Sequence, residues 1–236
     1  MILFLFWTYI ATIFVFVIVI FIIIFAWRHL FPQRWLQLLI ISFTATIVGL
    51  CVLLIGELQA PYNSNFYINP FLYIIYFGLT GCSLFAIYLL VLEIHFKHIK
   101  LLLVIGCLVF VALILLLIIG GIFQLTSEFS SYIWIIYIAF ECTYGLGIVA
   151  YVLLAIGSLK SASSDRLEQQ FHRGLIIVGI FSIGIAFGLT MLAIGLLYVD
   201  FSVALNPLIS VYWLLWMILV AILFLLMIRK AVSFIT

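Results

Sequence analysis

Hydrophobic residues follow one another in seven long stretches, and short polar segments separate them. A helix needs about 20 mainly apolar residues to cross the hydrocarbon core of a bilayer. The stretches cover about 3–27, 35–57, 69–93, 101–123, 132–159, 174–198 and 206–228. This pattern predicts an all-α, polytopic membrane protein, a seven-transmembrane helix bundle that forms a single domain over residues 1–236.

The composition supports this class of protein. Of the 236 residues, 69% are hydrophobic and 7% are charged, whereas a soluble domain has about a quarter of its residues charged. The first stretch is too long for the apolar region of a signal peptide, about 7–15 residues, so we expect it to be a retained helix. The net charge of +2 is scattered over short loops, and we therefore predict a lipid bilayer and no nucleic acid as partner.

The charges of the loops predict the orientation. All nine Lys and Arg residues fall in every second loop or in the C-terminal tail, and basic loops stay in the cytoplasm. We therefore expect the N-terminus outside, the C-terminus in the cytoplasm, and an integral location in the cytoplasmic membrane.

A carboxylate lies inside the fifth stretch. Glu141 is about nine residues, or about 13 Å, from the start of that stretch, and no basic residue is near it in sequence. Intramembrane acids usually face the interior of a helix bundle. Glu141 shares one helical stripe with aromatic residues, which are Trp134, Tyr137, Tyr144 and Tyr151. Two interpretations stay open: a protonated Glu that joins helices by hydrogen bonds, or a site for a proton, a cation or a ligand.

Other polar and aromatic residues predict a pocket that opens to the outside. The third stretch contributes Tyr73, Tyr76 and Ser83, the second contributes Thr46 and Glu57, and the seventh contributes Trp213. Such a lining suits an amphipathic or aromatic small molecule. The alternative is an interfacial belt of Tyr and Trp, or plain packing.

The chemistry of an enzyme is not indicated. No catalytic motif of the GxSxG, Walker or HExxH type occurs, and the four His residues lie in or beside the basic loops. We predict no catalytic residue, no metal site and no cofactor. In the sixth stretch Gly184 and Gly188 form a GxxxG pair, which predicts a close contact between helices.

The order of these features resembles one family. Basic residues follow the first stretch, Glu57 lies in "GEL" near the end of the second, and a helix-prone basic loop, "SSDRLEQQFHRGLIIVG", leads into the sixth. Asp200 and Pro207 precede the seventh. This resembles the seven-helix N-terminal membrane sensor module of bacterial and archaeal histidine kinases. The sequence carries no kinase domain after that module, so the resemblance implies that a signal passes to a separate protein.

Three functions remain possible from the sequence. The first is a receptor-like sensor module with an outward-facing polar and aromatic pocket that signals through another membrane or cytoplasmic protein. The second is a small proton- or cation-coupled transporter that uses Glu141. The third is a non-catalytic subunit of a larger membrane complex.

Overall fold

The described part of the chain consists of helices and short turns. The computed structural model describes residues 2–27, 34–59, 70–125, 129–163 and 169–197. Its helices are α1 (Ile2–Trp27), α2 (Arg34–Gln59), α3 (Pro70–His95), α4 (Lys100–Leu125), α5 (Phe129–Ala162) and α6 (Gln169–Leu197). The all-α class is thus confirmed for these residues, and six predicted stretches each coincide with a helix. The seventh, 206–228 with Trp213, lies outside the described residues, as do Asp200 and Pro207.

Five helices of this set are long and apolar enough to cross a membrane. The apolar spans are Arg34–Ile55, Ile74–His95, Lys100–Ile122, Ile138–Ala162 and His172–Met191. Large apolar side chains remain exposed along these spans, among them Val104, Leu108 and Leu115 of α4. Such surfaces are stable in contact with lipid rather than water. The helices therefore indicate a multi-pass integral membrane protein.

The chain divides into two compact units, 1–147 and 148–236, and the boundary falls inside α5. In the first unit each helix packs on the next: α1 on α2, α2 on α3 and α3 on α4. Phe16 of α1 and Phe43 of α2 stack with their ring centroids 5.1 Å apart. Connections of this kind are usual in helical bundles, where sequence neighbours are also neighbours in space.

The α3–α4 pair is fixed by a close approach at Gly106. The ring of Tyr88, which is fully buried, lies where a Cβ of residue 106 would be, so only glycine fits there. The Tyr88 hydroxyl donates a hydrogen bond to the carbonyl oxygen of Leu102. Nearby, Phe85 and Phe110 stack with their centroids 4.3 Å apart. The first turns of α4 are therefore held firmly against the end of α3.

In the second unit the close approach of α5 and α6 lies at Gly179. A Cβ at this position would be 2.7 Å from Cγ of Leu159, so a side chain here would force the helices apart. A Cβ at Gly184 meets no atom within 4 Å in the described part of the chain. Among the described helices, Gly184 therefore shows no close contact, whereas Gly179 lies at one.

Candidate functional site

The predicted site is centred on α5, which continues as one helix through the position of Glu141. Its residues from 129 to 162 are mainly apolar, and no proline interrupts them. Glu141 lies within the apolar span Ile138–Ala162, and its side chain is half-buried. Tyr144, one turn further along the same helix, is half-buried as well. These two residues share one side of α5, because side chains three apart are neighbours on a helix.

The carboxyl group of Glu141 has a buried oxygen without a hydrogen bond. Oε1 is shielded from solvent, and no described residue donates to it. The ion pair found among the described residues joins Glu93 and Lys97 near the end of α3 and does not involve Glu141. A buried acceptor that is left unpaired costs about 1–3 kcal/mol. Glu141 therefore has an unused capacity to accept a hydrogen bond.

An aromatic cluster includes two neighbours of Glu141 on α5, and we define it as Tyr76, Phe77, Phe140 and Tyr144. Phe77 and Phe140 stack with their ring centroids 3.6 Å apart. Tyr76 and Tyr144 meet Phe77 edge to face, at 5.0 Å and 6.4 Å. Leu113 and Leu117 of α4 and Ala139 of α5 complete this core. The structure thus joins α3, α4 and α5 at the part of α5 that carries Glu141.

The cluster also reaches α2 through Tyr76. A Cβ built on Gly49 would lie 3.6 Å from Cδ2 of Tyr76, an ordinary van der Waals distance. Tyr76 and Tyr144 were both predicted to line the site, and both pack against the core that contains Phe77. Tyr73, Trp134, Tyr137 and Glu57 lie on described helices, but their side chains are outside the described part.

Sequence reasoning missed Phe77 and Phe140. Phe140 lies four residues before Tyr144 and one before Glu141, so helical spacing was a signal for it. The signal is weak because the chain contains 23 Phe residues, most of which fit the same apolar spacing. Phe77 gives no sequence signal apart from its position next to Tyr76.

A hydroxyl cluster, defined as Ser42, Thr46 and Ser83, joins α2 to α3. Thr46 Oγ1 donates to the carbonyl oxygen of Ser42 at 3.0 Å. Because this uses the only hydroxyl proton of Thr46, the 2.8 Å contact between Thr46 and Ser83 requires Ser83 as donor. The 2.9 Å contact between Ser42 and Ser83 then requires Ser42 as donor. Every hydroxyl proton of the cluster is therefore used once.

This closed pattern changes the interpretation of Thr46 and Ser83. Both were predicted to line the pocket, but both are buried and bonded to each other across the α2–α3 contact. A hydroxyl whose proton is already used has little left to offer a ligand. The two residues thus act as interhelical hydrogen-bonding groups of the kind that hold membrane helices together.

Metal-binding groups do not converge in the described helices. No group of three or more His, Cys, Asp or Glu residues has the geometry to hold a metal ion there. The four cysteines are free thiols, of which Cys51 is exposed and the other three are half-buried. The chemistry available at the site is therefore that of one carboxyl group next to tyrosines and phenylalanines.

No family model matches the chain, and no curated protein or solved structure is significantly similar to it. Function must therefore be argued from the site itself. The main features of that site are the unpaired oxygen of Glu141 and the aromatic cluster beside it.

Proposed function

We propose that the protein is a receptor-like membrane sensor module in which Glu141 binds a cationic or hydrogen-bond-donating group of a small amphipathic ligand. The observation that carries this proposal is the buried, unpaired Oε1 of Glu141. A ligand that donates a hydrogen bond to this oxygen removes an energetic cost of about 1–3 kcal/mol. The bound state thus gains an interaction that the free state lacks.

The aromatic cluster supports a ligand with an apolar or aromatic body. Ligand sites are mainly apolar, with a few polar groups that fix the orientation of the bound molecule. Tyr76 and Tyr144 are half-buried and border the core, so part of each ring is open to a neighbouring molecule. An organic ammonium ion suits this combination, because aromatic faces attract cations and the carboxylate supplies the counter-charge.

The orientation proposed for the module has the N-terminus outside and the C-terminus in the cytoplasm. In the first unit Arg34 begins α2, Lys97 follows α3 and Lys100 begins α4. These three cations share one end of the unit if successive spans alternate in direction. That arrangement supports the cytoplasmic side for this end. A signal would then leave through a separate protein, as the resemblance to kinase sensor modules implies.

The test is ligand-dependent stabilisation of the purified protein in lipid nanodiscs. A series of arylalkyl amines headed by 2-phenylethylamine is compared with the matching neutral alcohols, such as 2-phenylethanol. The amines should raise the unfolding temperature, because a ligand that binds only the folded state stabilises it, by about 2.7 kcal/mol at 100 times its Kd. Glu141→Gln should abolish the response, whereas Glu93→Gln, which removes a carboxylate at the end of α3, should keep it.

Two results would contradict the proposal. Equal stabilisation by amines and alcohols would mean that the aromatic rings bind without the carboxyl group. An unchanged amine response in Glu141→Gln would move the binding site elsewhere.

A small proton- or cation-coupled transporter is the second candidate, because an ionisable residue inside a span also marks ion and proton pathways. The two functions differ in whether protons or cations cross the membrane. A transporter reconstituted in liposomes should acidify or load the lumen when a gradient is applied, and Glu141→Gln should stop this. A sensor module should bind the amine without any such flux.

A further inference from the structure

The turn between α3 and α4 carries a surface of basic and exposed apolar side chains, which is separate from Glu141. The span of α3 ends at His95 and that of α4 begins at Lys100, so this turn lies where the hydrocarbon core meets the headgroups. We name the stretch from 93 to 101 the α3–α4 tip. Its backbone is ordered: Ile99 N–H donates to the carbonyl oxygen of Phe96 at 2.9 Å, and Leu102 N–H donates to that of Ile99 at 3.1 Å.

The tip is short, and contacts between α3 and α4 hold it in place. The bond from the Tyr88 hydroxyl to the Leu102 carbonyl joins the end of α3 to the first turn of α4. The close approach at Gly106 fixes the same pair of helices one turn further on. The side chains of the tip are therefore presented from a fixed backbone, which reduces the entropy lost when a partner binds.

Basic residues crowd the exposed surface of the tip. Lys97, His98 and Lys100 are exposed, with Lys97 at 69% of its full accessibility. The carboxylate of Glu93 lies 3.4 Å from Nζ of Lys97. The tip contains two lysines and one carboxylate, so an excess of positive charge remains on it.

Apolar side chains lie between these cations. Ile94 is 53% exposed, Ile99 is 46% exposed and Leu101 is 68% exposed. Leu101 continues into the exposed apolar surface of α4 at Val104 and Leu108. The long stems of Lys97 and Lys100 can follow this surface while their ammonium groups stay at the phosphate level.

We propose that the α3–α4 tip is a binding surface for the headgroup phosphate of anionic phospholipids. Charge complementarity favours this partner, because the positive charges of Lys97 and Lys100 meet a negative lipid surface. The exposed Ile99 and Leu101 meet acyl chains rather than water, and a free phosphate ion or a nucleic acid has no such chains. The anionic lipid therefore satisfies both the charge and the apolar surface of the tip.

The experiment measures lipid binding to the full chain by native mass spectrometry from mild detergent. Phosphatidylglycerol and phosphatidylcholine with the same acyl chains are titrated in parallel. We expect the anionic lipid to bind more tightly, and each lysine near the surface to contribute about fivefold. The double variant Lys97→Gln, Lys100→Gln should therefore lose most of this preference.

The matched control is the double variant Lys160→Gln, Arg173→Gln. It removes the same number of cations from the ends of α5 and α6 and should keep the preference for phosphatidylglycerol. A charge-preserving pair, Lys97→Arg with Lys100→Arg, should keep it as well, which separates lost charge from lost folding.

Each alternative result overturns the proposal. Equal losses in the two Gln pairs would show that total charge, not the tip, sets lipid binding. Displacement of the lipid by millimolar inorganic phosphate would show an anion site that does not recognise lipid. Loss of the preference in the Arg pair, or no preference in the unaltered protein, would exclude a headgroup site at the tip.

Discussion

Replacing Glu141 with leucine separates the two interpretations of this residue, because they predict opposite changes in stability. Leucine has a similar size and favours a helix as well as glutamate does. A carboxyl group that bonds α5 to another helix would be lost, and the protein would be destabilised. A carboxyl group with a buried oxygen that nothing satisfies would be removed at no such cost, and the protein would be stabilised.

The structure favours stabilisation. Oε1 of Glu141 is buried without a donor in the described part of the chain, and an unpaired buried acceptor costs about 1–3 kcal/mol. Glu141→Leu should therefore raise the free energy of unfolding by about 1–3 kcal/mol and remove the response to amines. Stability gained at the expense of function is the usual result when a strained functional group is replaced.

Thr143→Val is the matched control on the same helix. Thr143 is fully buried, and its hydroxyl donates to the Ala139 carbonyl oxygen at 2.9 Å. Valine keeps the shape and loses this satisfied hydrogen bond, so we expect a loss of about 0.6 kcal/mol. Reversible unfolding by denaturing detergent in mixed micelles measures both variants. A loss of 1 kcal/mol or more in Glu141→Leu would refute the inference that its oxygen is unpaired.

Three further predictions concern packing and orientation. Gly106→Ala should destabilise the protein by about 1–3 kcal/mol through overpacking, whereas Gly184→Ala, where the added methyl group meets no described atom, should be neutral or stabilising in the same unfolding assay. Ser83→Ala removes two hydrogen bonds of the hydroxyl cluster and should cost about 1 kcal/mol by the same measurement. A cysteine at Ser131 should react with an impermeant thiol reagent from outside, and one at Ser161 only from inside; labelling of residue 161 from outside would contradict the orientation drawn from the loop charges.

The helices could be predicted because a membrane-spanning helix needs only a long apolar stretch, and other secondary structure rarely has apolar stretches of this length. Their ends were less well predicted. The sixth stretch was expected to begin near 174, but α6 begins at Gln169. The polar residues Gln169, His172 and Arg173 lower the hydropathy of the first turns of α6, so the apolar stretch starts after them. The backbone hydrogen bonds of the helix nevertheless continue through these residues. Apolar length therefore marks the hydrocarbon core rather than the helix.

The contacts of the site depended on information that local sequence does not contain. Ser83 bonds to Thr46 only because α2 and α3 pack in one particular register. A close approach of α5 and α6 lies at Gly179, because Leu159 of α5 fills the space beside it, whereas Gly184 meets no described atom. A glycine motif shows only where one helix has small residues. Which of these glycines forms a close contact depends on the side chains of the facing helix.

Six hydroxyl groups of the described helices form hydrogen bonds in one of two ways, and Oε1 of Glu141 follows neither. Thr143, Ser182 and Thr190 donate to carbonyl oxygens four residues earlier on their own helices. The hydroxyl cluster uses each of its protons in a closed pattern between α2 and α3. Since lipid offers no water to replace a missing bond, a polar group is kept at this depth either because a partner is built in or because one arrives. The hydroxyls meet the first condition, and under the proposed function the unpaired Oε1 of Glu141 meets the second.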